Sequence, residues 1–176
     1  MRPVQYEICM QHPLEKHIRN VQDFPKPGIG FKDITPIMRD HLPAMIEAMS
    51  AGINWNEIDY VIGIESRGFI LGSAMALQNG KGFLPVRKKG KLPPPVVAQS
   101  YTLEYGTDTL EMAVNEKKAR VLLVDDVLAT GGTLNATRAL CEMNQFEVAG
   151  MAVFINLSFL NNFASSGQQI HSVLTY

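Results

Sequence analysis

The chain has 176 residues, 46% of them apolar, which suffices for one substantial core and predicts a single domain over residues 1–176. A formal net charge of −1 gives no field for wrapping a polyanion, so nucleic acid is not an expected partner. Cys9 and Cys141 are far apart and fit reduced thiols better than a disulfide frame or zinc site, and no apolar run has signal-peptide or membrane-span character. A cytoplasmic protein without a membrane partner is expected.

The N-terminal arm and the segment after it, about residues 1–40, are the least patterned part. A short helix over Leu14–Val21 is predicted after Pro13. His12 and His17 lie five residues apart, off any shared helical face, and read as surface residues rather than metal ligands. Phe24 to Asp33 (FPKPGIGFKD) is too rich in Pro and Gly for a helix and predicts a turn running into an extended segment. Phe31 there has two readings, a plug for the core or a stacking surface.

Helical spacing follows over Leu42–Met49, then the apolar strand Tyr60–Ile64. Glu65-Ser66-Arg67-Gly68 turns that strand into a helix over about Phe69–Leu77. Arg67 stands where an unpaired charge is costly, so it must meet either an acid or an anionic ligand. A strand over Gly82–Val86 delivers the basic run Arg87-Lys88-Lys89-Gly90-Lys91, a solvated cluster or a set of cations for a polyanionic ligand. The long stretch Leu92–Thr109 has a Pro run, β-formers and a Gly-bearing turn, and predicts a mobile lid or hairpin with Glu104 and Tyr105 near its tip.

The most informative stretch is Val121–Thr133, VLLVDDVLATGGT. Four apolar residues predict a buried strand that ends in Asp125 and Asp126. The small-residue turn Ala129-Thr130-Gly131-Gly132-Thr133 then opens a helix from Leu134 to Met143. The first N–H groups of a helix lack intrahelical partners, and two glycines allow close backbone approach, so the turn is a cradle for phosphate. Each charge-assisted hydrogen bond there is worth roughly 1.5–3 kcal/mol against about 0.3–1 for the helix dipole, so directed donors dominate. The two carboxylates would repel that phosphate, and they suit sugar hydroxyls beside it instead. A phosphorylated sugar satisfies both halves. The Walker pattern is excluded because no Lys follows the second glycine, and no Gly-x-Gly-x-x-Gly follows a strand. Val148–Ile155 and Ile170–Leu174 read as further buried strands. The alternation of strands and helices predicts an α/β fold with a mainly parallel central sheet flanked by helices.

VLLVDDVLATGGT, preceded by FPKPGIGFKDITPI, IGIESRGFILG, RKKGKLP and YTLEYG in that order, resembles the type I phosphoribosyltransferases, and their adenine-using members in particular. The match runs from about Phe24 to Leu157. The resemblance implies transfer of a phosphoribosyl group from phosphoribosyl pyrophosphate (PRPP) to adenine, giving AMP and pyrophosphate in purine salvage. It also implies Mg²⁺ held mainly by PRPP and pyrophosphate oxygens, no metal site built by protein alone, and a homodimer. Carried over residue by residue, Ala129, Thr130, Gly131, Gly132 and Thr133 would hold the 5′-phosphate. Ser66, Arg67, Arg87, Lys88, Lys91 and Tyr105 would meet pyrophosphate, with Arg87 reaching into a neighbouring subunit's site. Gly30, Phe31, Lys32 and Val127 would take adenine, and Glu104, Asp125 and Asp126 would be catalytic, in a flexible loop over about 92–109 and at the strand end. Gly30 stands where a larger apolar residue is expected and Lys32 where Arg is expected. Asn156–Asn162 lacks the acid and the base that the matching stretch carries, which predicts altered packing or partner contacts there. Two other readings remain: a phosphoribosyltransferase for a different base, and a PRPP-sensing regulator without catalysis.

Overall fold

The computed structural model describes residues 12–24, 26–103, 106–163 and 170–176. The chain divides into two compact units, residues 1–45 and 46–176.

In the first unit, a 3₁₀ turn over Pro13–His17 replaces most of the helix expected at Leu14–Val21. His12 caps it, its Nδ1 accepting the Leu14 N–H at 3.2 Å. The chain then extends into β1 (Arg19–Val21), antiparallel to β2 (Phe31–Asp33). Cross-strand pairing, invisible to local helical spacing, decides the conformation of residues 19–21. The Arg19–Asp33 ion pair, 2.6 Å, joins the strands, and Asp33 also accepts the Thr35 N–H at 2.9 Å to start α1 (Thr35–Asp40). Phe31 is half-buried and meets the Phe24 ring edge-on at a 5.2 Å centroid separation, so it is neither a core plug nor fully open. Lys32 Nζ donates to Asn20 Oδ1 at 3.0 Å. α2 (Leu42–Ser50) carries the chain into the second unit.

The second unit is built on a seven-stranded sheet. Its strands are β3 (Tyr60–Ile64), β4 (Gly82–Lys88), β5 (Val96–Leu103), β6 (Gly106–Ala113), β7 (Ala119–Leu128), β8 (Phe146–Asn156) and β9 (Ile170–Thr175). They lie in the order β5-β6-β4-β3-β7-β8-β9. The five strands from β4 to β9 in that order run parallel, and the β5–β6 hairpin adds antiparallel at the β4 edge. The long connection expected at 92–109 is therefore mostly regular hairpin; Leu110 and Met112 of β6 are buried.

Side chains alternate across the sheet, so its two faces need two covers. Ile62, Ile64, Val121 and Leu123 pack with Leu134, Leu140 and Cys141 of α4 (Gly132–Met143). Gly63 and Val124, out of phase with these, meet α3 (Arg67–Gln78) on the other face. The approach of α3 is close enough to require glycine: a Cβ on Gly63 would fall 2.6 Å from the Gly68 carbonyl oxygen, and one on Gly68 2.7 Å from that of Val124. This contact seats the N-terminus of α3 beside Asp125, whose Oδ1 would lie 3.2 Å from the same Gly68 Cβ.

Candidate active site

β3 and β7 pair only as far as Gly63 opposite Val124. Beyond that register β3 turns away through Glu65 and Ser66, while β7 continues along β8 to Leu128 opposite Asn156. Asp125 and Asp126 thus lie within β7 instead of beyond its end, in the crevice opened where two parallel neighbours part, which is the usual ligand position in such sheets. The peptide Glu65–Ser66 is cis.

A cleft of about 550 Å³ opens there, lined by Glu65, Ser66, Arg67, Lys88, Tyr101, Leu110, Asp125, Asp126 and Thr133. A hollow of about 70 Å³ adjoins it, lined by Asp125 and residues 127–134. Asp125 and Thr133 belong to both, so the predicted phosphate cradle and the predicted diphosphate turn share one space. Gly131 has φ +86°, the left-handed conformation that admits glycine most readily, and N-caps α4 without any side-chain cap. The first N–H groups of α4 are left to whatever fills the hollow.

The charges in the cleft are already engaged. Arg67 Nε lies 2.7 Å from Asp126 Oδ2, which resolves the Arg67 alternative in the ligand-free chain: it meets an acid. The approach is an ion pair without hydrogen-bond alignment, and the buried Oδ2 has no directed donor among the described residues. Arg87 Nε lies 3.2 Å from Glu65 Oε2, and the guanidinium also sits 5.8 Å over the Phe69 ring. Lys88 Nζ lies 3.2 Å from Asp108 Oδ2. Arg87 is therefore held within its own chain. Exposed pairs are worth about 0–1 kcal/mol, so Lys88, 57% exposed, exchanges partners at small cost.

The carboxylates differ in environment. Burial pushes Asp125 well above the usual carboxylate range, and the neighbouring Asp126 charge adds to the rise; Arg67 and the Asp126 N–H, which donates to Asp125 Oδ1 at 2.9 Å, oppose it. Glu65 is also penalised by burial, yet the Lys88 N–H and Arg87 outweigh this and hold it below its ordinary value.

A metal has limited purchase here. Two adjacent carboxylates, one with an oxygen lacking a directed donor, suit a Mg²⁺ that keeps most of its shell in ligand oxygens and water. Among the described residues no group of three or more His, Cys, Asp and Glu could hold a metal ion.

Of the remaining predicted residues, Lys91 follows β4, where its N–H donates to the Lys88 carbonyl at 3.2 Å, and Val127 lines the hollow. Gly30, Phe31 and Lys32 belong to the first unit. Glu104 and Tyr105 lie outside the described residues. Tyr101 and Asp108 were not legible as site residues; the hairpin register, with Tyr101 opposite Asp108, brings both to the cleft side. A separate cavity of about 500 Å³, reached by Asn54, Glu57 and His171, carries no Lys or Arg in its lining and offers a diphosphate no cation.

Residues 35–161 match the phosphoribosyl transferase domain family. Over 169 residues the chain is 48% identical to the adenine phosphoribosyltransferase of Hydrogenovibrio crunogenus, covering 94% of this chain and 98% of that one. The chain belongs to the adenine phosphoribosyltransferase family. The fold agrees: the crystal structure of adenine phosphoribosyltransferase from Rhodothermus marinus superposes with a TM-score of 0.82 at 47% identity, covering 93% of this chain and 96% of that one. The family enzyme of Saccharomyces cerevisiae, complexed with an imino-altritol bisphosphate and adenine, superposes at 0.84 with 34% identity, covering 91% and 96%. The type I phosphoribosyltransferase fold expected from the strand and loop order is thus the fold observed.

Proposed function

We propose that this chain transfers the phosphoribosyl group of PRPP to adenine, forming AMP and releasing pyrophosphate. The observation that carries the reading is the junction of two sites in one space: an uncapped helix N-terminus facing a small hollow, and beside it two strand-borne carboxylates flanked by Arg67 and Lys88. A sugar with a phosphate at one end and a diphosphate at the other spans such a junction.

In this reading residues 129–133 hold the 5′-phosphate through N–H and hydroxyl donors. Arg67, Lys88 and Lys91, with Ser66 and Tyr105, take the diphosphate, and Arg87 serves the same end from Glu65. Breaking the anomeric C–O bond leaves positive charge on the ribose ring, as in other oxocarbenium-like glycosyl chemistry. Asp125 and Asp126 accept hydrogen bonds from the ring hydroxyls and stabilise that charge. The base nitrogen forms the new bond as pyrophosphate leaves, and Glu104 handles the purine proton. Phe31, with Gly30 and Lys32, and Val127 bind the base. Mg²⁺, brought in on PRPP oxygens, offsets the charge of the leaving pyrophosphate.

The protein acts in the cytoplasm as a homodimer in this account. Ile70 and Leu77 of α3, seven residues apart on one helical face and 47% and 84% exposed, give an apolar strip suited to a second copy. Among the described residues no helix is long and apolar enough to cross a membrane. Sedimentation tests the dimer; a fully active monomer would remove it.

Base choice is tested by supplying adenine, hypoxanthine, guanine and orotate separately with PRPP and Mg²⁺. Pyrophosphate release with adenine alone is expected. Release with another base would keep the transferase and discard the adenine assignment, and PRPP binding with no release would favour the sensing regulator.

A further inference from the structure

The phosphate turn is braced from behind by a segment that the reaction itself does not use. Asn161 lies just past the 3₁₀ turn Ser158–Leu160, and its amide nitrogen sits 3.0 Å from the Ala129 carbonyl oxygen, 2.9 Å from that of Leu157 and 3.1 Å from Asn156 Oδ1. Its own Oδ1 accepts the Phe163 N–H at 3.2 Å. One side chain therefore ties the end of β8, residues 157–163 and the phosphate turn together. The bond to Ala129 has a directional consequence. In a planar trans peptide the C=O and N–H point opposite ways, so holding the Ala129 oxygen fixes the direction of the Thr130 N–H, and Thr130 lines the hollow.

Phe163 supplies the second brace. It is 4% exposed, and a Cβ on Gly131 would fall 1.9 Å from its Cε2. The ring thus packs directly on the Gly131 backbone, although Phe163 is not among the residues lining the hollow. Gly131 is constrained twice, by its left-handed φ and by this ring.

We infer that Asn161 and Phe163 are positioning residues for the phosphate monoester site: Asn161 sets the orientation of the Ala129–Thr130 peptide, and Phe163 holds Gly131 in place. This rests on the phosphoribosyl reading of the hollow. Neither residue touches the ligand, so the effect acts through the turn.

The test compares wild-type enzyme with Asn161→Asp, which keeps the size and the acceptor for the Phe163 N–H but cannot donate to Ala129. Ribose 5-phosphate binding by calorimetry and the KM values of PRPP and adenine are measured on variants that melt cooperatively. The expected result is a loss of about tenfold in ribose 5-phosphate affinity and a similar rise in the PRPP KM, the size of one hydrogen bond made unmakeable. The adenine KM should stay within about twofold, since a single directed bond is the only change. A merely structural role would lower the melting temperature and leave that split unseen. If Asn161→Asp does not fold, Asn161→Ser is read the same way. Unchanged ribose 5-phosphate affinity in a folded Asn161 variant, or equal losses for both substrates, overturns the inference. Failure of the wild-type enzyme to bind ribose 5-phosphate or PRPP would instead sink the phosphoribosyl reading, and this inference with it.

Discussion

Arg67 Nε and Asp126 Oδ2, 2.7 Å apart, tie the diphosphate turn at the end of β3 to the sugar-binding carboxylates of β7. The pair bridges two strand-turn-helix units at the point where their strands have parted. Asp126 is 6% exposed, so removing Arg67 strands a buried carboxylate. Leaving a buried polar group unmet costs about 1–3 kcal/mol, toward the lower end here because Arg67 is 35% exposed. Arg67→Ala should therefore lower the melting temperature and weaken PRPP binding. Adding Asp126→Asn should restore part of the stability without restoring turnover. A double-mutant cycle with coupling well under about 0.5 kcal/mol would show that the two residues act independently.

The phosphate turn depends on close backbone approach. Gly132→Val, at the first position of α4, should raise the PRPP KM about 10- to 100-fold through loss of one charge-assisted hydrogen bond or more. A folded variant with wild-type PRPP affinity would remove the cradle assignment.

The raised pKa of Asp125 has a stability consequence with a definite sign. The folded state holds this proton more firmly than the unfolded chain, so the contribution is fully present below the ordinary carboxylate pKa. It is lost as pH rises through the folded value. Asp125→Asn, which keeps the oxygen that accepts the Asp126 N–H, removes that loss. In ligand-free protein the variant should melt above wild type, with a gap that widens from acid toward neutral pH, while turnover falls. A gap that is constant with pH, or reversed, would contradict the burial of an ionising group at this position.

Glu104→Ala tests the proton-handling role. Turnover should fall more than PRPP or adenine affinity, because the contact matters only as the base nitrogen reacts. Full turnover under rate-limiting chemistry would end that assignment.

Cys141 lies at 0% exposure on α4, and burial pushes its thiol up to about 12. Peptide mapping after iodoacetamide treatment should find Cys141 unmodified in folded protein and modified after denaturation. Labelling of the native protein at neutral pH would mean that α4 opens readily.

Much of this was legible in the residues, for physical reasons that vary along the chain. Tyr60–Ile64 and Val121–Val124 are apolar runs buried on both faces, and such runs announce themselves whatever surrounds them. β7 nevertheless continues through Asp125 and Asp126 to Leu128, because β8 supplies its ladder to Asn156. A neighbouring strand overrides the polarity that had marked the strand's end. The same holds at Arg19–Val21, where pairing with Phe31–Asp33 displaced a helix. In the site, Arg67, Lys88, Asp125, Asp126 and Thr133 do converge on one cleft. The acid partners of the cations, Asp126, Glu65 and Asp108, could not be assigned from order alone, since each pairing depends on strand register. Asn161 was silent for a related reason: its bond to Ala129 spans 32 residues and leaves no local pattern.

The central claim is that one chain converts PRPP and adenine into AMP and pyrophosphate, and phosphorus NMR of a single reaction mixture tests it most directly. With Mg²⁺, PRPP and adenine present, the account predicts that PRPP disappears only when adenine is supplied, with a 5′-monophosphate and pyrophosphate appearing in equal amounts. Persistence of PRPP under those conditions, or its decay to ribose 5-phosphate and pyrophosphate regardless of adenine, would contradict it.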